Sequence, residues 1–291
     1  MDYEKDKYWI WYSRIEGLTC LQKGKLLEIF RSPERIWNLD AKQLRNVGCL
    51  NEKDINEILN KSYRGGLNRY YEYMNKNKIR MITIYDKEYP DKLKEIYDRP
   101  VSLFAKGNTN LFERKSVAIV GCRECREYGK RVSKKLAYDL ANQEVCIVSG
   151  LARGIDKFSH IGALDAKGST IAVIGNGLDD IYPYENKNLS ERILENDGLI
   201  VTEYIIGTKP SRLNFPARNR IISGLSEAVV VVEAKEKSGA LITADFGLEQ
   251  GKEVCAVPNN IYNKNSKGTN ELIKQGASLI TGYRDVLELI E

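Results

Sequence analysis

The chain has 291 residues, enough for about two domains with a large buried core. Lysine and arginine total 45 against 40 for aspartate and glutamate, so the net charge of +5 does not by itself indicate nucleic-acid binding, and any basic surface must be local. The opening segment lacks the layout of a signal peptide, and the densest apolar run, Ala228 to Val232, is too short to span a bilayer. These features disfavour secreted and membrane proteins, so we expect a soluble cytoplasmic protein with no membrane partner.

Helical periodicity dominates the start of the chain and predicts an all-α domain over residues 1–75. The predicted helices are Asp6 to Ile15, Thr19 to Phe30, a short helix capped by Ser32 with Pro33 at its first position, Asn51 to Leu59 with Asn51 as cap, and Leu67 to Lys76. The segment from Leu44 to Leu50 resembles the glycine hairpin of helix-hairpin-helix and sterile-alpha-motif-like modules, which contact the DNA backbone through main-chain amides. A plain helical packing module is the alternative.

From Ile79 onward strands alternate with helices, and we predict a second domain over residues 76–291. Two strands, Arg80 to Tyr85 and Val101 to Ala105, precede six buried runs. The six runs are Ser116–Val120, Val145–Val148, Ile171–Ile174, Leu199–Thr202, Ala228–Val232 and Glu253–Val257. Buried runs separated by helices predict an α/β fold with an extended Rossmann-like, doubly wound and mostly parallel sheet, whose ligands bind at the carboxyl ends of the strands.

The turns that follow the first two buried runs do not fit a nucleotide cofactor. The turn from Gly121 to Gly129 is not G-x-G-x-x-G, the turn from Ser149 to Gly154 has no carboxylate for a ribose, and no G-x-x-x-x-G-K-[ST] occurs. Arginine occupies both turns instead, at Arg123 and Arg153. A row of cations and free amides at one sheet edge suits a run of phosphates, so we expect no cofactor.

The stretch from Asn214 to Ser226 combines an aromatic ring with two arginines and an asparagine, before the apolar run at Ala228. We interpret it as a loop in which Arg218 and Arg220 offer forked donors to phosphates and Phe215 offers a ring for a base. A buried structural arginine pair beside a core strand is the alternative.

The six cysteines are scattered along the chain, which predicts reduced thiols. Cys122 and Cys125 form a C-x-x-C at a predicted strand-to-helix turn, where a helix N-terminus lowers the pKa of a thiol. A redox role is one interpretation of this pair, and two small residues in a tight turn are the other. Because no second C-x-x-C exists and the single histidine, His160, is far along the chain, we expect no zinc site.

The ordered motifs of the second part resemble the DNA-processing protein A family (DprA, also called Smf). The resemblance extends from about residue 79 to the end of the chain. It rests on Ser116 to Arg123, Ser149 to Asp156, Gly175 to Asp179 with Tyr182-Pro183, Asn214 to Ser226, Lys237 to Ala244, Ala256 to Pro258, and Gly268 to Asn270 with Gly276-Ala277.

The resemblance implies a protein that binds single-stranded DNA, protects incoming strands during natural transformation in competent cells and loads the recombinase RecA. It implies no enzymatic activity, and it implies a homodimer formed through the Rossmann domain. Carried over by position, the DNA-binding residues are Gly121, Arg123, Arg153, Asn214, Phe215, Arg218, Asn219 and Arg220, with Lys187 as a further candidate.

Three departures from the family pattern limit this transfer. Cysteines replace the hydroxyl residues common at the first turn, Asn259 stands where glycine is usual, and the chain stops at Glu291, without the winged-helix domain that many relatives append. We therefore expect no duplex binding by such a module.

A nucleotide-directed Rossmann protein is the competing interpretation. In the first form, a phosphoribohydrolase-like enzyme of the cytokinin-activating group would use Glu203, Glu233 or Asp156, although the signature P-G-G-x-G-T-x-x-E is absent. In the second form, a nucleotide sensor would bind a small nucleotide in preference to an oligomer.

Overall fold

The computed structural model describes residues 2–291, and its first part consists of six α-helices. These are α1 (Tyr3–Arg14), α2 (Cys20–Phe30), α3 (Pro33–Trp37), α4 (Ala41–Arg45), α5 (Glu52–Leu59) and α6 (Leu67–Lys76). The side chains of Ser32 and Asn51 cap α3 and α5 by accepting hydrogen bonds from backbone N–H groups, as the sequence predicts, and Thr19 caps α2 in the same way. Helix α1 begins before the predicted Asp6, because Asp2 caps it.

The second part is built on a nine-stranded sheet with the order β1-β2-β6-β5-β4-β3-β7-β8-β9. The strands are β1 (Arg80–Thr83), β2 (Ser102–Gly107), β3 (Ser116–Val120), β4 (Cys146–Ser149), β5 (Thr170–Val173), β6 (Leu199–Thr202), β7 (Ala228–Val231), β8 (Glu253–Ala256) and β9 (Ser278–Leu279). Strand β2 pairs antiparallel with β1 and β6, whereas the remaining pairs are parallel. The predicted α/β class with a mostly parallel sheet is confirmed.

Helices cover both faces of the sheet. They are α7 (Asp91–Lys94), α8 (Glu127–Asn142), α9 (Ile155–Asp165), α10 (Lys187–Glu195), α11 (Asn214–Gly224), α12 (Gly239–Glu249), α13 (Lys267–Lys274) and α14 (Tyr283–Ile290). Strand β3 shows the alternation that this requires: Val117 and Ile119 pack with α8, α9 and α14, whereas Ala118 and Val120 pack with α7, α11, α12 and α13.

The helical part and the sheet share one apolar core. Ile10 and Met74 of the helices belong to the same buried cluster as Phe104 of β2 and Ile200 of β6. The predicted division after residue 75 lies next to the end of α6, and as a division into two domains it stays a prediction. No helix within residues 2–291 is both long enough and apolar enough to cross a membrane.

The strand order reverses at β3, because β4, β5 and β6 follow on one side of it and β7 and β8 on the other. At such a point the turns that leave neighbouring strands diverge and open a crevice, which is where doubly wound sheets bind ligands. The turns after β3, β4 and β7 all begin at this edge.

Candidate nucleic-acid interface

A cleft of about 660 Å³ opens at the carboxyl ends of β3, β4 and β7. We call it the strand-end cleft, and define it by the lining residues Gly121, Arg123, Arg212, Phe215, Arg218, Asn219 and Lys237. Helix α11 forms one wall, and the start of α12 forms another. The predicted strand-end position of the site thus coincides with a real depression in the surface.

Helix α11 replaces the loop that we predicted over Asn214 to Ser226. Pro216 is the third residue of the helix, where its missing N–H has no intrahelical partner to lose, so it is tolerated in the first turn. Phe215, Arg218, Asn219 and Ile222 follow helical spacing and all face the cleft. These four side chains are therefore positioned by a helix and not by a loop.

Arg218 forms the floor of the cleft and is only 4% exposed. Its Nη1 donates to the carbonyl oxygens of Gly150, at 2.7 Å, and Val173, and its Nε lies 3.2 Å from Asn219 Oδ1. Burial lowers the pKa of Arg218 to about 10, still above neutral pH. A cation fixed this firmly in a buried position is suited to hold a phosphate that enters the cleft.

Two neighbours shape this floor. The carboxylate of Asp156 accepts a hydrogen bond from the Gly150 N–H at 3.1 Å, and burial raises the pKa of that carboxyl group. A side chain at Gly150 would place its Cβ 2.5 Å from Nη2 of Arg218, so the arginine occupies the space that glycine leaves. The glycine after β4 therefore makes room for a cation.

Arg220 does not reach the strand-end cleft, so the prediction that it joins Arg218 in one phosphate grip is wrong. Residues two apart on a helix point about 200° away from each other. Arg220 is 3% exposed and donates to both carboxylate oxygens of Glu203 at 2.7 Å, while its Nε lies 3.1 Å from Asp98 Oδ2. Its Nη2 is also 3.4 Å from the sulfur of Cys20 in α2. The alternative of a buried structural arginine is correct for this residue.

Phe215 is the centre of a stacked group at the rim of the cleft. The guanidinium of Arg123 lies 5.1 Å from the centroid of its ring, and the ring of Tyr182 stacks on it at 5.6 Å with an interplanar angle of 26°. A Cβ at Gly175 would approach Phe215 Cδ1 to 3.0 Å, so this glycine also makes room for the ring. The structure thus brings a cation and two aromatic faces together, a combination suited to nucleobases and phosphates.

The remaining predicted residues fall at different distances from this centre. Arg153 is exposed beside the cleft and forms an ion pair with Glu185 at 3.0 Å. Asn219 donates to the carbonyl oxygen of Gly239 at 3.1 Å and so joins α11 to the start of α12. Asn214 lines a separate cavity on the side of α11 that faces the first helices, and Lys187 lies outside the strand-end cleft.

Gly121 contributes by its size. A Cβ there would lie 2.4 Å from Cγ1 of Ile155, so only glycine lets α9 pack this close to the end of β3. Its role is to shape the turn that carries Arg123, and at this position the structure assigns a packing function.

The sequence analysis did not predict three cations of the cleft, and one of them, Lys235, is paired with Glu124 at 3.4 Å. Arg212, just before α11, and Lys237, just before α12, are exposed lining residues, and neither forms an ion pair with any residue from 2 to 291. Lys237 was identified only as part of a motif. A cation immediately before a helix that begins at a strand-end turn is the signal that could have found both residues.

The cysteine pair does not have the predicted environment. Burial, and the Glu233 carboxylate beside it, raise the pKa of the Cys122 thiol to about 12, and burial also raises the pKa of Cys125. The expected lowering by a helix N-terminus is therefore wrong. Both cysteines are free thiols, and within residues 2–291 no cluster of three or more metal-ligating side chains occurs.

Comparisons with known proteins agree with this architecture. A solved structure of DNA processing protein A from Streptococcus pneumoniae matches with a TM-score of 0.84 and 40% identity, and the match covers 98% of each chain. A structure of DNA processing protein A from Helicobacter pylori, described for its single-stranded DNA binding mode, matches with a TM-score of 0.65 and 32% identity. That match covers 72% of this chain and 94% of the other.

Sequence relatives point the same way. The DNA processing protein of Streptococcus pneumoniae is 48% identical over 214 residues, which is 74% of this chain and 75% of the relative. The protein of Bacillus subtilis is 46% identical over 211 residues, or 72% and 71% of the two chains. The model of the family described as DNA recombination-mediator protein A matches residues 80–291. Because the family model matches residues 80–291 and both relatives are at least 46% identical over more than two thirds of each chain, the chain belongs to the DNA recombination-mediator protein A family.

Proposed function

We propose that this chain binds single-stranded DNA in the strand-end cleft and acts as a recombination mediator in natural transformation. The observation that carries the proposal is the Arg123–Phe215–Tyr182 stack above the buried guanidinium of Arg218. Bases of a single strand are free to stack on the rings, while phosphates meet fixed cations. The single-stranded DNA binding mode described for the Helicobacter pylori relative supports the same ligand class.

The number of cations in the cleft predicts how strongly salt should weaken DNA binding. Besides Lys235, which is paired with Glu124 at 3.4 Å, five cations lie in or beside it: Arg123, Arg153, Arg212, Arg218 and Lys237. If each neutralises one phosphate, the affinity for a single strand falls with a log-log salt slope of roughly −3.5, from about −0.7 per contact. Sequence preference should be small, since stacking and phosphate contacts do not discriminate between base edges.

A titration of labelled oligo-dT and a matching duplex at two salt concentrations tests the proposal. We expect salt-sensitive binding that favours the single strand, about a tenfold loss with Arg123→Ala, and a loss of about 1 to 3 kcal/mol with Phe215→Ala. Both variants should melt like the parent protein. Equal binding of duplex and single strand, or unchanged binding by both variants, would remove the cleft as the DNA site.

The acidic residues near the strand ends support binding rather than hydrolysis. Glu203 is held by Arg220, and Glu233 is buried and accepts a hydrogen bond from the backbone N–H of Arg126 at 3.0 Å. Asp156 lines the cleft but is only 6% exposed, and its Oδ2 accepts a hydrogen bond from the Gly150 N–H at 3.1 Å. Because Glu203 and Glu233 are engaged by these partners and Asp156 is bonded to the Gly150 turn, we assign none of them the role of general base for an enzyme acting on nucleotides. Incubation with a nucleoside monophosphate should release no free base.

Two partners belong to this proposal. We expect the protein to load RecA on single strands covered by a single-strand-binding protein, measured as faster RecA ATP hydrolysis on such DNA. A homodimer through the Rossmann domain is supported by exposed apolar side chains on β9, at Leu279, and in the loop after β8, at Ile261 and Tyr262. Light scattering should give twice the chain mass, and Ile261→Asp should lower it toward one chain.

A further inference from the structure

The segment from Tyr182 to Lys187 carries a second aromatic surface next to the strand-end cleft. Tyr182 is 43% exposed and takes part in the stack with Phe215, whereas Tyr184 is 77% exposed. The Nζ of Lys187 lies 6.0 Å from the centroid of the Tyr184 ring. A ring left in solvent beside a cation and next to the cleft offers a free face on which a base can stack.

The backbone of this segment is fixed against the turn that carries Arg153. Asn186 is buried, and its Nδ2 donates to the carbonyl oxygens of Leu151 at 2.9 Å and Ala152 at 3.1 Å. The adjacent Glu185 holds Arg153 by an ion pair at 3.0 Å. Tyr184 is therefore presented at a defined place next to the cleft.

The spacing between Tyr182 and Tyr184 matches the spacing between neighbouring nucleotides of a strand. Tyr182 and Tyr184 are two residues apart, so their Cα atoms are separated by at most about 7 Å. A strand whose base meets the Phe215–Tyr182 stack can pass Arg153 and place its next accessible base on Tyr184, with a phosphate near Lys187. Arg153 and Lys187 lie along this path and can neutralise phosphates of the DNA backbone.

We propose that Tyr184 and Lys187 form a second nucleotide-binding platform that extends the DNA track out of the cleft past Arg153. The inference rests on the proposed single-strand function and adds an exit direction and a second stacking site to it. A strand long enough to leave the cleft gains this contact, and a strand confined to the cleft does not.

A length series of oligo-dT, from 4 to 20 nucleotides, tests the platform with the full chain. Tyr184→Ala should weaken binding of the longer oligomers about fivefold or more, which is the lower range for loss of a stacking aromatic, and leave the shortest bound oligomer unaffected. Tyr184→Phe keeps the ring and should bind like the parent protein. Tyr97→Ala, which removes a tyrosine that is 84% exposed and lines neither the cleft nor the platform, is the matched control.

The outcomes separate the platform from the cleft. If Tyr184→Ala binds every length like the parent while Arg123→Ala is weakened, the platform is refuted and the cleft stands. A loss that is equal at all lengths would place Tyr184 in the primary site and also refute a separate platform. If the parent protein binds no oligomer, both proposals fail. Photocrosslinking of 5-iodouracil oligomers should identify Tyr184 only when the oligomer is long.

Discussion

Replacing Arg220 with alanine should destabilise the fold and leave the DNA site intact. The guanidinium is buried, and it compensates two carboxylates, those of Glu203 and Asp98. Removing one partner of a buried ion pair leaves an uncompensated charge and costs about 3 to 5 kcal/mol. At about 2 to 4 °C per kcal/mol for chains of a similar size, the melting temperature should fall by roughly 6 to 20 °C.

Thermal unfolding of the parent and Arg220→Ala measures this effect, and oligo-dT affinity is then determined at a temperature at which both are folded. Because Arg220 and Arg218 lie on opposite sides of α11, the affinity of the folded variant should stay within about twofold of the parent. Glu203→Gln is the control. It removes one charge but leaves Arg220 beside Asp98, so it should destabilise less than Arg220→Ala.

Two results would refute this reasoning. An unchanged melting temperature for Arg220→Ala would mean that the buried pair contributes nothing, contrary to the cost of an unpaired buried carboxylate. A tenfold loss of affinity with normal stability would mean that Arg220 contacts DNA, as the sequence interpretation held. A double variant, Arg220→Ala with Glu203→Ala, should be less unstable than the sum of the single changes, because the two side chains act on each other.

Three further predictions concern the cleft. Glu185→Gln removes the carboxylate that competes with phosphate for Arg153, so oligo-dT should bind about two- to fivefold more tightly, a change of up to about 1 kcal/mol for an exposed pair. Gly150→Ala should lower the free energy of unfolding by about 1 to 3 kcal/mol and also weaken DNA binding, because the new Cβ collides with Arg218. A denaturant titration run beside the binding assay separates the two effects. Arg212→Ala should make the log-log salt slope less steep by about 0.7, and an unchanged slope would exclude a phosphate contact there.

The sequence predicts the sheet well because its strands have a strong local signal. The six buried runs from Ser116 to Val257 are rich in β-branched residues and bounded by glycine or polar turns. The strands β3 to β8 that they form lie within one residue of the predicted limits. Strand β9, from Ser278 to Leu279, was missed since two residues are too few to show any periodicity. The antiparallel pairing of β2 with β6 is a long-range choice that local pattern does not encode.

The site was harder to predict because contacts between residues far apart in the sequence decide which arginines face the cleft and which are buried in ion pairs. Arg220 finds Glu203, 17 residues away, and Asp98, 122 residues away, and neither partner is visible in the local motif. The same motif contains proline and several polar side chains, so it resembles a loop, although Phe215, Arg218, Asn219 and Ile222 already have helical spacing. Assigning the helix first would have separated the two arginines by geometry alone.

The placement of Phe215 and Arg218 on a helix has a consequence for binding. Side chains presented by a mobile loop must be ordered when the ligand arrives, at about 0.5 to 1.5 kcal/mol for each flexible side chain. Here Arg218 is already fixed by carbonyl groups, and Phe215 already packs with Arg123 and Tyr182. The ordering cost therefore falls mainly on the DNA strand. Oligomers whose bases stack on one another should therefore differ in affinity from flexible oligo-dT, because unstacking their bases costs free energy. The free energy contributed by the protein should be nearly the same for each oligomer.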